Sequence, residues 1–245
     1  MQVTLKQFGD LRCRIVQASA TPPTSVVILC HGFGAPGHDL VDLAPALCHL
    51  APGLGEKTVF AFPEAPLELD FGGFGGARAW WHLDLEAIEY AQRSGTPRTL
   101  AEEEPDGLPI AQALLSGALT QLLDELGLTW SETIIGGFSQ GAMLTTDLAI
   151  HSTSPLKGLI TLSGNLLHAS RSLPKIANQA NLDVFMSHGR QDPILPFSGA
   201  EALHQAFASA GADVEFMPFD GGHTIPESVL RRLADRLKAE CTSNP

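Results

Sequence analysis

Positive charge is what this chain has least of. Its 15 Lys and Arg stand against 27 Asp and Glu, a formal net charge of −12. No dense basic cluster supplies the cation patch that a phosphate backbone or an anionic lipid surface requires, so nucleic-acid binding is excluded. No run of about 18 apolar residues occurs, which excludes stable membrane insertion through a spanning helix. The opening MQVTLKQFGDLRCR lacks the long apolar core of a secretory signal, and the expected address is the cytoplasm. Cysteine is scarce: Cys13, Cys30, Cys48 and Cys241 show no CxxC spacing and are too few to staple a chain of this length. They are expected as free thiols. Nine histidines are scattered without HExxH or Cys/His ligand spacing, so no metal centre is expected. The glycine tract Phe71 to Gly76 lacks the GKS or GKT ending and the preceding strand of a phosphate loop.

What is present is ample core-forming material. The 245 residues are 44% hydrophobic and 17% charged, the composition of a globular protein, and residues 1–245 are expected to form a single domain. Apolar, β-branched runs alternate with helical patterns, as in a mostly parallel sheet covered by helices on both faces, an α/β fold. Expected strands are Cys13 to Gln17, Ser25 to Cys30, Thr58 to Phe62, Thr133 to Phe138, Gly158 to Leu162, Leu182 to Ser187 and Asp213 to Pro218. Three-and-four spacing predicts helices over Leu40 to Leu50, Ile110 to Leu126, Gly141 to His151, Ala200 to Ala210 and Pro226 to Ala239. Thr224 and Glu227 form a T-x-x-E pattern, the signature of a capping box, which would put His223 just outside a helix start. The stretch from about 63 to 109 breaks the rhythm with its glycine tract, the Trp80-Trp81 pair and the acidic run Glu102 to Glu104, and reads as an excursion forming a lid or pocket rim.

The chemistry starts at Gly137-Phe138-Ser139-Gln140-Gly141, a G-x-S-x-G pattern. In that pattern a serine sits on a strained strand-to-helix turn, and the small flanking residues permit the tight backbone. The preceding run reads as a buried strand and the following Ala142 to Ala149 as a helix, so Ser139 is the candidate nucleophile. A serine hydroxyl needs a base to take its proton, and the base needs a third group to orient it. The expected strand Leu182 to Ser187 leads into His188-Gly189-Arg190-Gln191-Asp192-Pro193, which places a carboxylate beyond a strand end. Asp192 is the candidate acid; Asp-Pro is also a common turn former, and Asp220 lies nearer the base in sequence. Gly221-Gly222-His223 follows the next strand, so His223 is the candidate base, with His188 as the other histidine near a suitable strand end, there to brace the acid loop. Backbone amides must also meet the developing oxyanion. Gln140, directly after the nucleophile, supplies one, and Phe33 in the turn of Cys30-His31-Gly32-Phe33-Gly34 the second, with Gly34 as a weaker candidate. His31 reads as a structural hydrogen-bonding residue.

These segments, with Arg78-Ala79-Trp80-Trp81, together resemble the phospholipase/carboxylesterase branch of the α/β hydrolases, which includes bacterial carboxylesterases and acyl-protein thioesterases. The resemblance implies the α/β-hydrolase fold, the triad Ser139, Asp192 and His223, and oxyanion amides after His31-Gly32 and after Ser139. It also implies an aromatic pair flanking an acyl pocket, matched by Trp80 and Trp81, and a homodimer. Two departures bear on substrate choice: Ala35 stands where relatives often carry an acidic residue, and Gln92 to Leu108 is longer than in small thioesterases. The expected activity is hydrolysis of a carboxylic ester or thioester with a short to medium acyl chain, through an acyl-enzyme and with no metal or organic cofactor. Phe71, Phe74, Trp80, Trp81 and Leu83 are candidates for lining the acyl pocket. Two other readings stand beside it: hydrolysis of amide or lysophospholipid substrates, and a noncatalytic binding module on the same fold.

Overall fold

A computed structural model describes residues 1–70, 76–84, 86, 90, 93–94 and 102–242. Ten strands fall within them. They are β1 (Gln2–Phe8), β2 (Leu11–Gln17), β3 (Ser25–Cys30), β4 (Thr58–Pro63), β5 (Leu67–Glu68), β6 (Arg78–Ala79), β7 (Thr133–Phe138), β8 (Gly158–Leu162), β9 (Asp183–Gly189) and β10 (Asp213–Phe219). Eight of these make one sheet in the order β1-β2-β4-β3-β7-β8-β9-β10, and β5 pairs only with β6. β1 to β2 and β2 to β4 are antiparallel; every pairing from β4 across to β10 is parallel. Helices among the described residues include α1 (Leu43–Leu50), α2 (Leu108–Leu126), α3 (Gln140–His151), α4 (Ala169–Ile176), α5 (Phe197–Ser209) and α6 (Glu227–Thr242).

Every residue of β3, β4 and β8 is buried. Strands covered on both faces read as unbroken apolar runs, which is why these were visible in the sequence. Side chains still alternate between two cores. Val26, Ile28 and Cys30 face α2, α3, α4 and α5, whereas Val27 and Leu29 face α1 and α6. The chain is thus a three-layer α/β structure, with strand ends on the carboxyl side left for a site.

Four differences from the sequence expectations have physical causes. β1 was not expected, because its Val3 and Leu5 stay about half exposed and mark no core face; seven-residue antiparallel pairing to β2 holds it. α4 was not expected either, since it buries only Ser172 and Ile176 and carries Pro174. α1 begins at Leu43, not Leu40, because Pro45 has no N–H to give to residue 41 and its ring blocks a helical turn upstream. The capping box at Thr224 and Glu227 does not form. α6 starts at Glu227, and that carboxylate accepts from Arg231 one turn on.

Candidate active site

Ser139 sits between β7 and α3 with φ 54° and ψ −118°, a left-handed conformation that costs an L-residue about 1–3 kcal/mol and that the surroundings must enforce. Its N–H donates to Leu162 O (3.0 Å), and its carbonyl accepts from Met143 N–H (3.0 Å), starting α3. The flanking glycines permit this turn. A Cβ at Gly141 would lie 2.1 Å from Cys30 O, and one at Gly137 2.4 Å from the same oxygen. β3 and the start of α3 therefore touch backbone to backbone.

His223 and Asp192 meet at the ends of β10 and β9. His223 Nδ1 is 2.7 Å from Asp192 Oδ2, so Nδ1 carries the proton and Nε2 is left as the basic nitrogen. The two loops are joined by backbone bonds, Arg190 N–H to Phe219 O (2.9 Å) and Gln191 N–H to Gly221 O (3.0 Å). They approach so closely that a Cβ at Gly189 would lie 2.2 Å from Gly222 O. The His223 ring packs 4.7 Å from the ring of Phe138, the residue before Ser139. Ser163 at the end of β8, also at positive φ (49°), reaches Thr224 O at 3.5 Å and ties down the residue after His223.

Asp192 has no exposed side-chain surface. Its Oδ1 accepts from the N–H groups of Ile194 (2.8 Å) and Leu195 (2.9 Å). One oxygen of the carboxylate thus caps the turn and the other faces the imidazole. Burial by itself would raise its pKa, but donors from His188, His223 and the Leu195 N–H outweigh it and hold the carboxyl well below the usual range. It stays ionised at neutral pH. Asp220, the other acid considered, is a 90% exposed side chain beside Arg190. His188 is fully buried and donates through Nε2 to Leu195 O (2.9 Å), which leaves it no route to the serine.

The turn after β3 lies against Ser139, a Cβ on Gly32 falling 3.3 Å from Ser139 Cβ. His31 Nδ1–H donates to Gly32 O (2.8 Å), while His31 Nε2 accepts from Ala65 N–H (3.1 Å). Because a peptide unit is planar and trans, fixing Gly32 O also fixes the direction of the Phe33 N–H on the opposite side. Burial pushes the His31 pKa down and keeps the ring in this neutral form. The Gly34 N–H is already committed to Arg78 O at 2.8 Å, which removes the weaker candidate donor. Gln140 opens α3, where first-turn amides have no partner within the helix.

Trp80 and Trp81 are 2% and 1% exposed and belong to the core on the α2 side. Leu83 packs partly buried against the same core. Phe71 and Phe74 lie outside the described residues. Sequence reasoning gave no part to the side chains of Arg78 and Gln140. Arg78 donates to Ala65 O (2.5 Å), Pro66 O (3.3 Å) and Glu68 (3.0 Å), pinning the excursion to the end of β4. The Gln140 carboxamide bridges Trp80 N–H and Trp81 O, both at 2.9 Å. No local pattern marks such partners, which lie 59 and 60 residues away.

A serine on a strained strand-to-helix turn, beside an oriented imidazole and an ionised carboxylate, is the equipment for acyl transfer. The phospholipase/carboxylesterase family model matches residues 11–240. The chain belongs to this family. Acyl-protein thioesterase 1 of Eremothecium gossypii is 31% identical over 91% of each chain, and acyl-protein thioesterase 1 of Saccharomyces cerevisiae 29% identical over 93% of this chain and 98% of its own. Among solved structures, esterase PE8 is 28% identical with a TM-score of 0.76, covering 97% of this chain and 99% of its own. The phospholipase/carboxylesterase fold is therefore the α/β-hydrolase fold expected from the sequence, and the chain is a hydrolase of esters or thioesters.

Proposed function

We propose that Ser139, His223 and Asp192 form the catalytic triad of this carboxylesterase or thioesterase, with the backbone amides of Phe33 and Gln140 as its oxyanion hole. His223 Nε2 takes the Ser139 proton as Oγ attacks the acyl carbonyl, and the Phe33 and Gln140 amides receive the negative oxygen of the tetrahedral intermediate. The proton passes to the leaving alkoxide or thiolate. A water activated by the same Nε2 then releases the carboxylic acid from the acyl-serine. Asp192 holds the Nδ1–H tautomer and stabilises the imidazolium formed in each step.

The observation that carries this reading is the 2.7 Å His223 to Asp192 bond two strands from a serine held at φ 54°. Residues 1–245 act as one catalytic unit, a reading supported by the eight strands between Gln2 and Phe219 that share one sheet. The names of the relatives bring thioesters of acylated proteins within the substrate class. The four cysteines, all free thiols, favour an address in the cytoplasm.

The test is hydrolysis of p-nitrophenyl esters from acetate to palmitate by the protein and by Ser139→Ala. The variant is expected to lose kcat by roughly a millionfold. Equal turnover by both proteins would overturn the assignment of Ser139.

A further inference from the structure

We propose that the Trp80-Trp81 pair is the positioning element of the oxyanion hole, setting the Phe33 and Gln140 amides relative to each other, rather than a wall of the acyl pocket. The inference rests on the oxyanion assignment above and deepens it. The two donors come from distant parts of the chain, one in the turn after β3 and one at the first residue of α3, and both tie back to this dipeptide. Trp80 Nε1–H donates to His31 O at 2.9 Å. His31 in turn holds Gly32 O, whose peptide unit carries the Phe33 N–H. On the other side, the Gln140 carboxamide accepts from Trp80 N–H and donates to Trp81 O, both at 2.9 Å. Its two ends grip consecutive residues, so the Gln140 side chain has one orientation available, and the backbone of Gln140 is held with it.

The chain just before the pair makes the same junction. Gly34 N–H donates to Arg78 O (2.8 Å), Arg78 N–H donates to Ala35 O (3.1 Å), and Pro36 bridges Ala77. Residues 77–81 thus run as a short rail along the turn after β3 and end on the carboxamide of the residue after the nucleophile. Behind the rail there is no slack: a Cβ on Gly107 would lie 2.6 Å from Trp81 Cβ, so the start of α2 presses directly on the second tryptophan. Both indoles are buried. A buried donor clamped at both ends of a hydrogen-bond chain is suited to holding geometry, and oxyanion stabilisation depends on geometry because its donors act on the transition state far more than on the bound ester.

The two roles predict different kinetics. Trp80→Phe keeps most of the buried ring and removes the Nε1–H. Positioning predicts a fall in kcat of about tenfold, equal for p-nitrophenyl acetate, butyrate and octanoate, with KM unchanged and with affinity for an alkylboronic acid, which forms a tetrahedral anion on the serine, reduced by the same factor. A pocket wall predicts a KM change that grows with acyl length, and that result overturns the proposal; so does unchanged kcat. Gln140→Met gives a second, independent reading, because it keeps the main-chain amide and the side-chain length while removing both carboxamide bonds. It should show the same chain-length-independent loss in kcat and boronate affinity, and wild-type values there equally overturn the proposal. Failure of the triad assignment would appear separately, as activity surviving in Ser139→Ala.

Discussion

His188 comes within 3.3 Å of Asp192 Oδ2, the same carboxylate oxygen that faces His223 Nδ1 at 2.7 Å. Oδ2 thus faces two imidazoles, while Oδ1 accepts from two backbone amides. The arrangement explains why a carboxylate with no exposed side-chain surface remains ionised: the interactions that favour its charged form outweigh the cost of burial.

Asp192→Asn tests the orienting role. An amide presents an N–H to Nδ1 and favours the wrong imidazole tautomer, so kcat for a p-nitrophenyl ester should fall by about 10⁴. The far-ultraviolet circular dichroism should remain that of the folded protein.

The same carboxylate links stability to pH. Its folded pKa lies below its unfolded value, so the stability it contributes is fully present above the unfolded value of about 4 and is lost as pH falls toward the folded one. Melting temperatures of wild type and Asp192→Asn should differ by a constant amount from pH 8 to pH 5 and converge below about pH 4. A constant gap at all pH values would contradict this.

Glu240 on α6 works in the opposite sense. Burial and the nearby Asp183 charge push its pKa up to about 7, against the ion pair with Arg236. A carboxyl with a raised folded pKa stabilises the fold below its unfolded value, and that contribution is lost as pH rises through about 7. Glu240→Gln should match wild type near pH 5 and exceed it by pH 8.5, by on the order of 5 °C in Tm for about 2 kcal/mol. A flat difference across that range would remove Glu240 as the cause.

His31 offers a donor test without altering the triad. His31→Asn keeps an N–H near the position of Nδ1, facing Gly32 O, whereas His31→Ala removes it. The alanine variant should lose kcat by about tenfold or more, and the asparagine variant should retain most of it. Equal losses in both would show that the ring acts only through packing.

Gly141→Ala tests the backbone contact beneath Ser139. The new methyl would meet Cys30 O at 2.1 Å, with backbone on both sides unable to yield. Destabilisation of about 3 kcal/mol is expected in denaturant unfolding, whereas Gly117→Ala, with nothing within 4 Å, should be neutral or slightly stabilising.

Most of the sheet was legible because strands buried on both faces announce themselves as apolar runs, as in Ser25 to Cys30 and Gly158 to Leu162. β1 left no such trace, since an edge strand needs no buried face to pair. The positions of Ser139, Asp192 and His223 followed from local patterns at strand ends, which is where this architecture gathers them. The His31, Arg78 and Gln140 contacts were not legible. They join residues up to 60 apart in sequence through ordinary polar side chains, and only the folded chain brings them together. The capping pattern at Thr224 misled because Pro226 intervenes: its carbonyl accepts from Val229 and Leu230 N–H, and the helix begins after it.

β9 starts at Asp183, which pairs with Arg236 near Glu240, and ends at Gly189, three residues before Asp192. Seven residues of strand amount to roughly 23 Å. The raised Glu240 carboxyl and the Asp192 carboxylate that faces His223 therefore lie near opposite ends of one strand. Substitutions among the ion pairs at the Asp183 end should shift thermal behaviour without touching a residue of the proposed triad.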